Sequence, residues 1–194
     1  MLAGFRVIAL RAATLGFALG ALTSTWIPSD AQAVAAGAAS PAAPEREIER
    51  LGDDDLSIAG EAARALGAMG ETAFPAIREA LASGSVQRRW GATVALYRST
   101  ADPEPFLPDL TRELSDPDER IVAASLGALA RLETRAAPAL PALKVLLRHE
   151  DADVRGSTLG TIAAIGPAGR DLLPDIEPIL ADESAALRIA AADA

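Results

Sequence analysis

The chain has 194 residues, half of them apolar but only 4% aromatic, and a formal net charge of −9 at neutral pH. Its alanine-rich, aromatic-poor make-up suits closely packed helices better than sheets, and its acidity, with no basic tract, argues against a nucleic-acid partner. It contains no cysteine, which removes disulfides, thiolate catalysis, Cys-ligated zinc and lipidation on Cys.

Residues 1–33 follow the pattern of an export signal. Arg6 and Arg11 supply positive charge, and Ala12 to Ile27 form an apolar stretch containing Leu15, Phe17, Leu19, Leu22 and Trp26. Pro28, Ser29 and Asp30 then break the helix, and Ala31-Gln32-Ala33 fits the small-x-small cleavage rule. The uncharged stretch between Arg11 and Asp30 is marginal in length for spanning a bilayer. A periplasmic or secreted protein with a cleaved signal is expected. The alternative is a retained segment that anchors the chain to the inner membrane, the one case in which a membrane becomes a partner. Residues 34–44 are Ala, Gly, Ser and Pro with a single Val, the composition of a flexible linker.

A repeat fills the rest. Pro75, Pro108, Pro141 and Pro174 recur at one constant interval, a 33-residue period. The same gapless shift aligns Leu81, Leu114, Leu147 and Leu180, and also Ile77, Leu110, Leu143 and Ile176. Upstream it superposes Ala62, Ala95, Ala128 and Thr161, then Ala63, Leu96, Leu129 and Ile162. Each unit reads as two helices. The first runs over roughly Leu56–Ala68 in unit one, with Ala59, Ala62, Ala63 and Leu66 on one face. Asp53-Asp54-Asp55 and Asp151 to Asp153 precede first helices, where carboxylates cap free amides. The second helix begins near the repeated proline, which a first turn tolerates. Neither helix can bury its apolar face alone, and stacking successive pairs makes a continuous core.

The expected divisions are a signal at 1–33, a linker at 34–44, an N-terminal capping helix at 45–52 and a repeat domain at 53–184. Residues 185–194 form a partial repeat or C-terminal capping helix. That last helix carries Leu187 and Ile189; it caps the stack, docks on another chain, or marks a truncated sequence.

Asp151, Asp153 and Arg155, the run from Ile162 to Gly166, and Leu172-Leu173-Pro174 leading to Leu180 resemble the short HEAT-like repeats related to those of phycobilin lyases. Unit three carries the related Asp116-Pro117-Asp118, Ile121, Leu126, Leu129 and Ala139-Leu140-Pro141. The resemblance covers about Asp53 to Ser184 and implies an all-α solenoid of about four stacked helical hairpins. It says little about activity, because such arrays serve many partners. The family's arginine near the start of the first helix stands at Arg89, Arg155 and Arg188, while unit three has Val122 and unit one Leu56. Where present, it is expected to pair with neighbouring Asp or backbone carbonyls.

No catalytic, cofactor or metal site is expected. The only histidine, His149, lies at the end of a second helix beside Arg148, Glu150 and Asp151, where it would meet terminal carbonyls. Asp53 to Asp55 lack the alternating ligands and distal Glu of a calcium loop. Two binding candidates remain. The resemblance implies that second helices line the concave face, so Arg78, Arg112, Lys144 and Arg148 would form a partly basic stripe, suited to an acidic protein or peptide. The bland alternative is ordinary pairing with Glu79, Glu113 and Glu150. The other candidate is Trp90, Val94 and Tyr97, which share one face of a first helix. Aligned positions elsewhere are small or polar: Ser57, Glu61 and Arg64, then Ala123, Gly127 and Ala130, then Gly156, Gly160 and Ala163. These aromatics either fill the groove between repeats or anchor a partner. The function expected is a protein-interaction or scaffolding module rather than an enzyme. A lyase-like or accessory activity by family analogy, or a membrane-tethered structural module, are the alternatives.

Overall fold

The computed structural model describes residues 44–181 and 184–193. The expected signal, and all but the last residue of the expected linker, lie outside the described residues. Every regular element among the described residues is a helix: α1 (Pro44–Leu51), α2 (Leu56–Met69), α3 (Phe74–Leu81), α4 (Val86–Arg98) and α5 (Leu107–Glu113). There follow α6 (Glu119–Ala130), α7 (Leu140–Leu146), α8 (Ala152–Ile165), α9 (Leu173–Ile176) and α10 (Ala185–Asp193). None of them is long and apolar enough to cross a membrane. Four long first helices (α2, α4, α6, α8) alternate with four short second helices (α3, α5, α7, α9), an α-solenoid of HEAT-like pairs.

Caps set the starts. Asp55 accepts the Ser57 N–H at 2.8 Å, Ser85 the Arg88 N–H at 3.3 Å, Asp118 the Arg120 N–H at 3.0 Å, and Asp151 the Asp153 N–H at 2.7 Å. Ser85, Asp118 and Asp151 keep the period of the repeat, whereas Asp55 stands too close to Ser85 to fit it. Gly52 occupies the regular place and has no side-chain oxygen to offer, so α2 starts about one turn late.

Two residues before each cap, a second acceptor tightens the turn. Asp53, Ser83, Asp116 and His149 take the N–H of Asp55, Ser85, Asp118 and Asp151 at 2.9, 3.1, 2.9 and 3.1 Å. His149 thus accepts an amide through Nδ1, where the sequence suggested contact with carbonyls. Its scaffold role is the one serine and aspartate fill in the other units. The expected arginine contacts are present too. Arg89 reaches Asp116 Oδ2 at 3.0 Å and the Ser83 carbonyl at 3.3 Å, and Arg155 reaches the His149 and Glu150 carbonyls.

The four repeated prolines all sit in the first turn of a second helix, where a missing N–H costs nothing. Each follows a 3₁₀ segment, such as Glu133–Ala139 before α7. Gly70 and Gly166, which end α2 and α8, have φ of 60° and 72°. Glu133, one period before Gly166, takes φ 52° without being glycine.

The aligned apolar columns form the core, with Ala62, Ala95, Ala128 and Thr161 all buried, as are Ile77, Leu110, Leu143 and Ile176. One column breaks. Leu81, Leu114 and Leu147 are buried but Leu180 is exposed, and Ile179 is buried instead. Pro178 explains this: it cannot donate to the helix, so the chain after α9 tightens into the 3₁₀ segment Glu177–Ala181 and turns another residue inward. First helices stack directly, α2 on α4, α4 on α6, α6 on α8 and α8 on α10. Gly67 permits one such approach, since a Cβ there would lie 2.9 Å from the Ala95 carbonyl oxygen.

Candidate functional site

Along a first helix, residues opposite the core columns must face outward. In α4 these are Trp90, Val94 and Tyr97, and beside them on α6 and α8 the outward residues are small. Large side chains next to small ones leave a groove. It has a volume of about 740 Å³ and runs across all four first helices, from Gly60 and Arg64 through Trp90, Val94 and Tyr97 to Ala123, Gly127 and Gly160.

The aromatics fill the space between repeats without being fully covered. Tyr97 packs onto the bare Cα of Gly127, yet stays 46% exposed. Trp90 is half-buried, with the Arg120 guanidinium 5.5 Å from its ring centroid, within cation–π range. Val94 is half-buried and packs on the core. The three residues do form one surface.

The repeat register places Arg64 on this face, in line with Tyr97, but sequence reasoning missed the other arginines of the groove. Its charged lining residues are Arg64, Arg98 and Arg120, and Arg131 stands beside Tyr97 at one end. Arg131 donates to the carbonyls of Leu96 at 2.7 Å, Tyr97 at 3.1 Å and Ser99 at 2.7 Å, so it caps the end of α4 and makes no ion pair among the described residues. Arg120 is held by Asp118, whose carboxyl its hydrogen bond keeps below the usual range. Arg64 and Arg98 make no ion pair among the described residues. A signal existed: Arg98 and Arg131 stand one repeat period apart.

The four cations of the second helices do not gather into one site. Arg112 pairs with Asp109 at 2.9 Å, and Lys144 and Arg148 share Asp175 at 2.7 and 3.1 Å. Lys144 in turn keeps the Asp175 carboxyl below its ordinary range. Arg78 lies over the Phe106 ring, 4.8 Å from its centroid. Their acidic partners are Asp109 and Asp175 rather than the glutamates the sequence suggested. Glu113 is buried, its Oε2 meeting the Thr93 hydroxyl at 2.6 Å. Among the described residues, no group of three or more His, Asp or Glu is placed to hold a metal.

No protein-family model and no curated protein sequence matches this chain. Solved structures do. A designed armadillo repeat protein in complex with the peptide (KR)4 aligns with TM-score 0.61 at 16% identity, over 84% of this chain and 82% of that one. The CpcE–CpcF complex of phycocyanin lyase from Nostoc sp. PCC7120 aligns with TM-score 0.60 at 27% identity. That match covers 77% of this chain but 62% of the other, so this chain spans less than two thirds of its length. Computationally designed armadillo repeat proteins for modular peptide recognition align with TM-score 0.58 at 19% identity, over 78% and 79% of the two chains. The chain is therefore a HEAT-like, armadillo-like helical repeat protein in fold.

Proposed function

We propose that this chain is an exported interaction scaffold that binds a polypeptide partner along the groove of its first helices. The observation that carries the reading is Tyr97, a large amphipathic ring left 46% exposed in a groove floored by glycine and alanine. Aromatic residues of this kind anchor partners better than charged rims do. The designed neighbours, whose names describe peptide recognition, support a peptide or protein as partner. Export rests on residues 1–33 alone; a mature chain beginning at Val34 is the expected product, and an intact amino terminus on the membrane fraction would favour the anchored alternative.

A photo-activatable phenylalanine at position 97 tests the groove in living cells, with one at Val145, an exposed second-helix residue, as control. Adducts at 97 and not at 145 are expected. Adducts at neither position, or equally at both, would sink the reading. A second reading, an accessory lyase-like activity, draws on the 27% identity to the phycocyanin lyase chains. Its mark would be turnover of a small molecule that depends on groove residues.

A further inference from the structure

We infer that the groove takes an acidic, extended peptide segment of its partner, with carboxylates on Arg64 and Arg98 and apolar side chains on Trp90, Val94 and Tyr97. This rests on the groove being the partner site and adds what the partner must look like.

Charge argues first. The protein carries a formal net charge of −9, yet every charged residue lining the groove is an arginine. On the second helices three of the four cations have found a carboxylate. In the groove Arg64 and Arg98 have none among the described residues, Arg131 spends its donors on carbonyls, and Arg120 is held by Asp118. A basic segment attracted by the acidic surface elsewhere would be repelled here, and a carboxylate would be drawn in.

Composition argues for a peptide over a lone phosphate. Arg64, Arg98 and Arg131 gather beside Tyr97 at one end of the groove. A single phosphate would use that cluster alone, whereas a peptide bearing carboxylates and apolar side chains uses the cluster and the Trp90, Val94 and Tyr97 surface together.

Length argues for a short extended segment. Four helices packed about 10 Å apart give the groove a length of about 30 Å. About nine extended residues span that length, where a helix would need about twenty.

Fluorescence anisotropy on the full chain provides the test, with a labelled peptide of Glu-Glu-Leu repeats as probe. Gln-Gln-Leu and Lys-Lys-Leu peptides and an oligothymidylate are the comparators. The acidic peptide is expected to bind best and to weaken as salt rises. Arg64→Glu with Arg98→Glu should weaken it by about tenfold, while Arg112→Glu on the second helices leaves it unchanged. Thermal melts of the variants, all at exposed positions, check folding. Preferred binding of the lysine peptide or of the oligonucleotide would overturn the proposal, and so would an acidic peptide indifferent to the double reversal. Equal binding of the glutamine peptide, lost on filling the groove with Gly160→Phe, would overturn the acidic preference and leave the groove reading standing. If no peptide binds, the acidic-peptide proposal falls. The cross-link at position 97 then decides separately whether the interaction reading falls with it.

Discussion

The Tyr97 ring rests on Gly127 so closely that a Cβ on the glycine would stand 2.9 Å from Cδ2 and Cε2. One contact thus joins two adjacent repeats and builds one wall of the groove. The glycines nearby differ. A Cβ on Gly60 or Gly160 meets nothing within 4 Å, while one on Gly67 would strike the Ala95 carbonyl oxygen at 2.9 Å.

These distances order three alanine substitutions. Gly160→Ala should raise stability by about 0.5–1 kcal/mol, because it gains helix propensity in open space. Gly67→Ala should lower it by about 1–3 kcal/mol, since backbone atoms cannot step aside cheaply. Gly127→Ala should fall between, because the exposed Tyr97 ring can swing away, but it should weaken partner binding. Urea midpoints read all three; equal values at Gly160 and Gly67 would refute the packing argument.

Glu133 holds φ 52° where its counterpart Gly166 holds 72°. An L side chain in that region costs about 1–2 kcal/mol. Glu133→Gly should therefore stabilise the chain by about 1 kcal/mol, whereas Gly166→Ala should destabilise it by a similar amount. Paired thermal melts measure both, and a loss of stability in Glu133→Gly would disprove the strain.

Much of this was legible in the sequence. The prolines and apolar columns announced the pairs because a repeated fold needs repeated chemistry. Three things resisted. The 3₁₀ segments have no distinctive composition, and only the geometry around Pro178 shows why Leu180 turns outward. The late start of α2 hangs on Gly52 lacking an acceptor. Arg64 was legible as the counterpart of Tyr97, but Arg98, Arg120 and Arg131 were hidden because they come from opposite ends of two helices, so no single helical face displays them. The aromatic surface was legible because Trp90, Val94 and Tyr97 share one helix.

Glu113 is buried, and burial is the main force raising its carboxyl above the ordinary glutamate range, partly opposed by the Thr93 hydrogen bond. The Thr93 hydroxyl has one proton and two acceptors, Glu113 Oε2 at 2.6 Å and the Arg89 carbonyl at 2.9 Å. A protonated Glu113 donates to Thr93 and satisfies both contacts. The folded state then holds a proton the unfolded state has released, so this contribution is full below about pH 4.3 and is lost as pH rises through the raised value. Glu113→Gln keeps a donor at all pH values. It should be more stable than the parent chain at neutral pH by about 1 kcal/mol. The advantage should shrink on acidification, and a difference independent of pH would disprove the linkage.

Arg89 and Lys144 both pair with an aspartate across a repeat boundary, but they differ in surroundings. The Arg89 and Asp116 side chains are 18% and 10% exposed, and Arg89 also holds the Ser83 and Gly84 carbonyls. The Lys144 side chain is 51% exposed, and Arg148 shares its Asp175. Removing Arg89 strands a largely buried carboxylate and two carbonyls, so Arg89→Ala should cost about 2–4 kcal/mol. Arg89→Lys should recover little, because an ammonium cannot reach the aspartate and the loop carbonyls in one geometry. Lys144→Ala should cost less than about 1 kcal/mol, since Asp175 keeps Arg148 and water. Chemical denaturation separates the two sites. If the losses were equal, these ion pairs would share one role, and the boundary clamp at Arg89 would be no more than another surface contact.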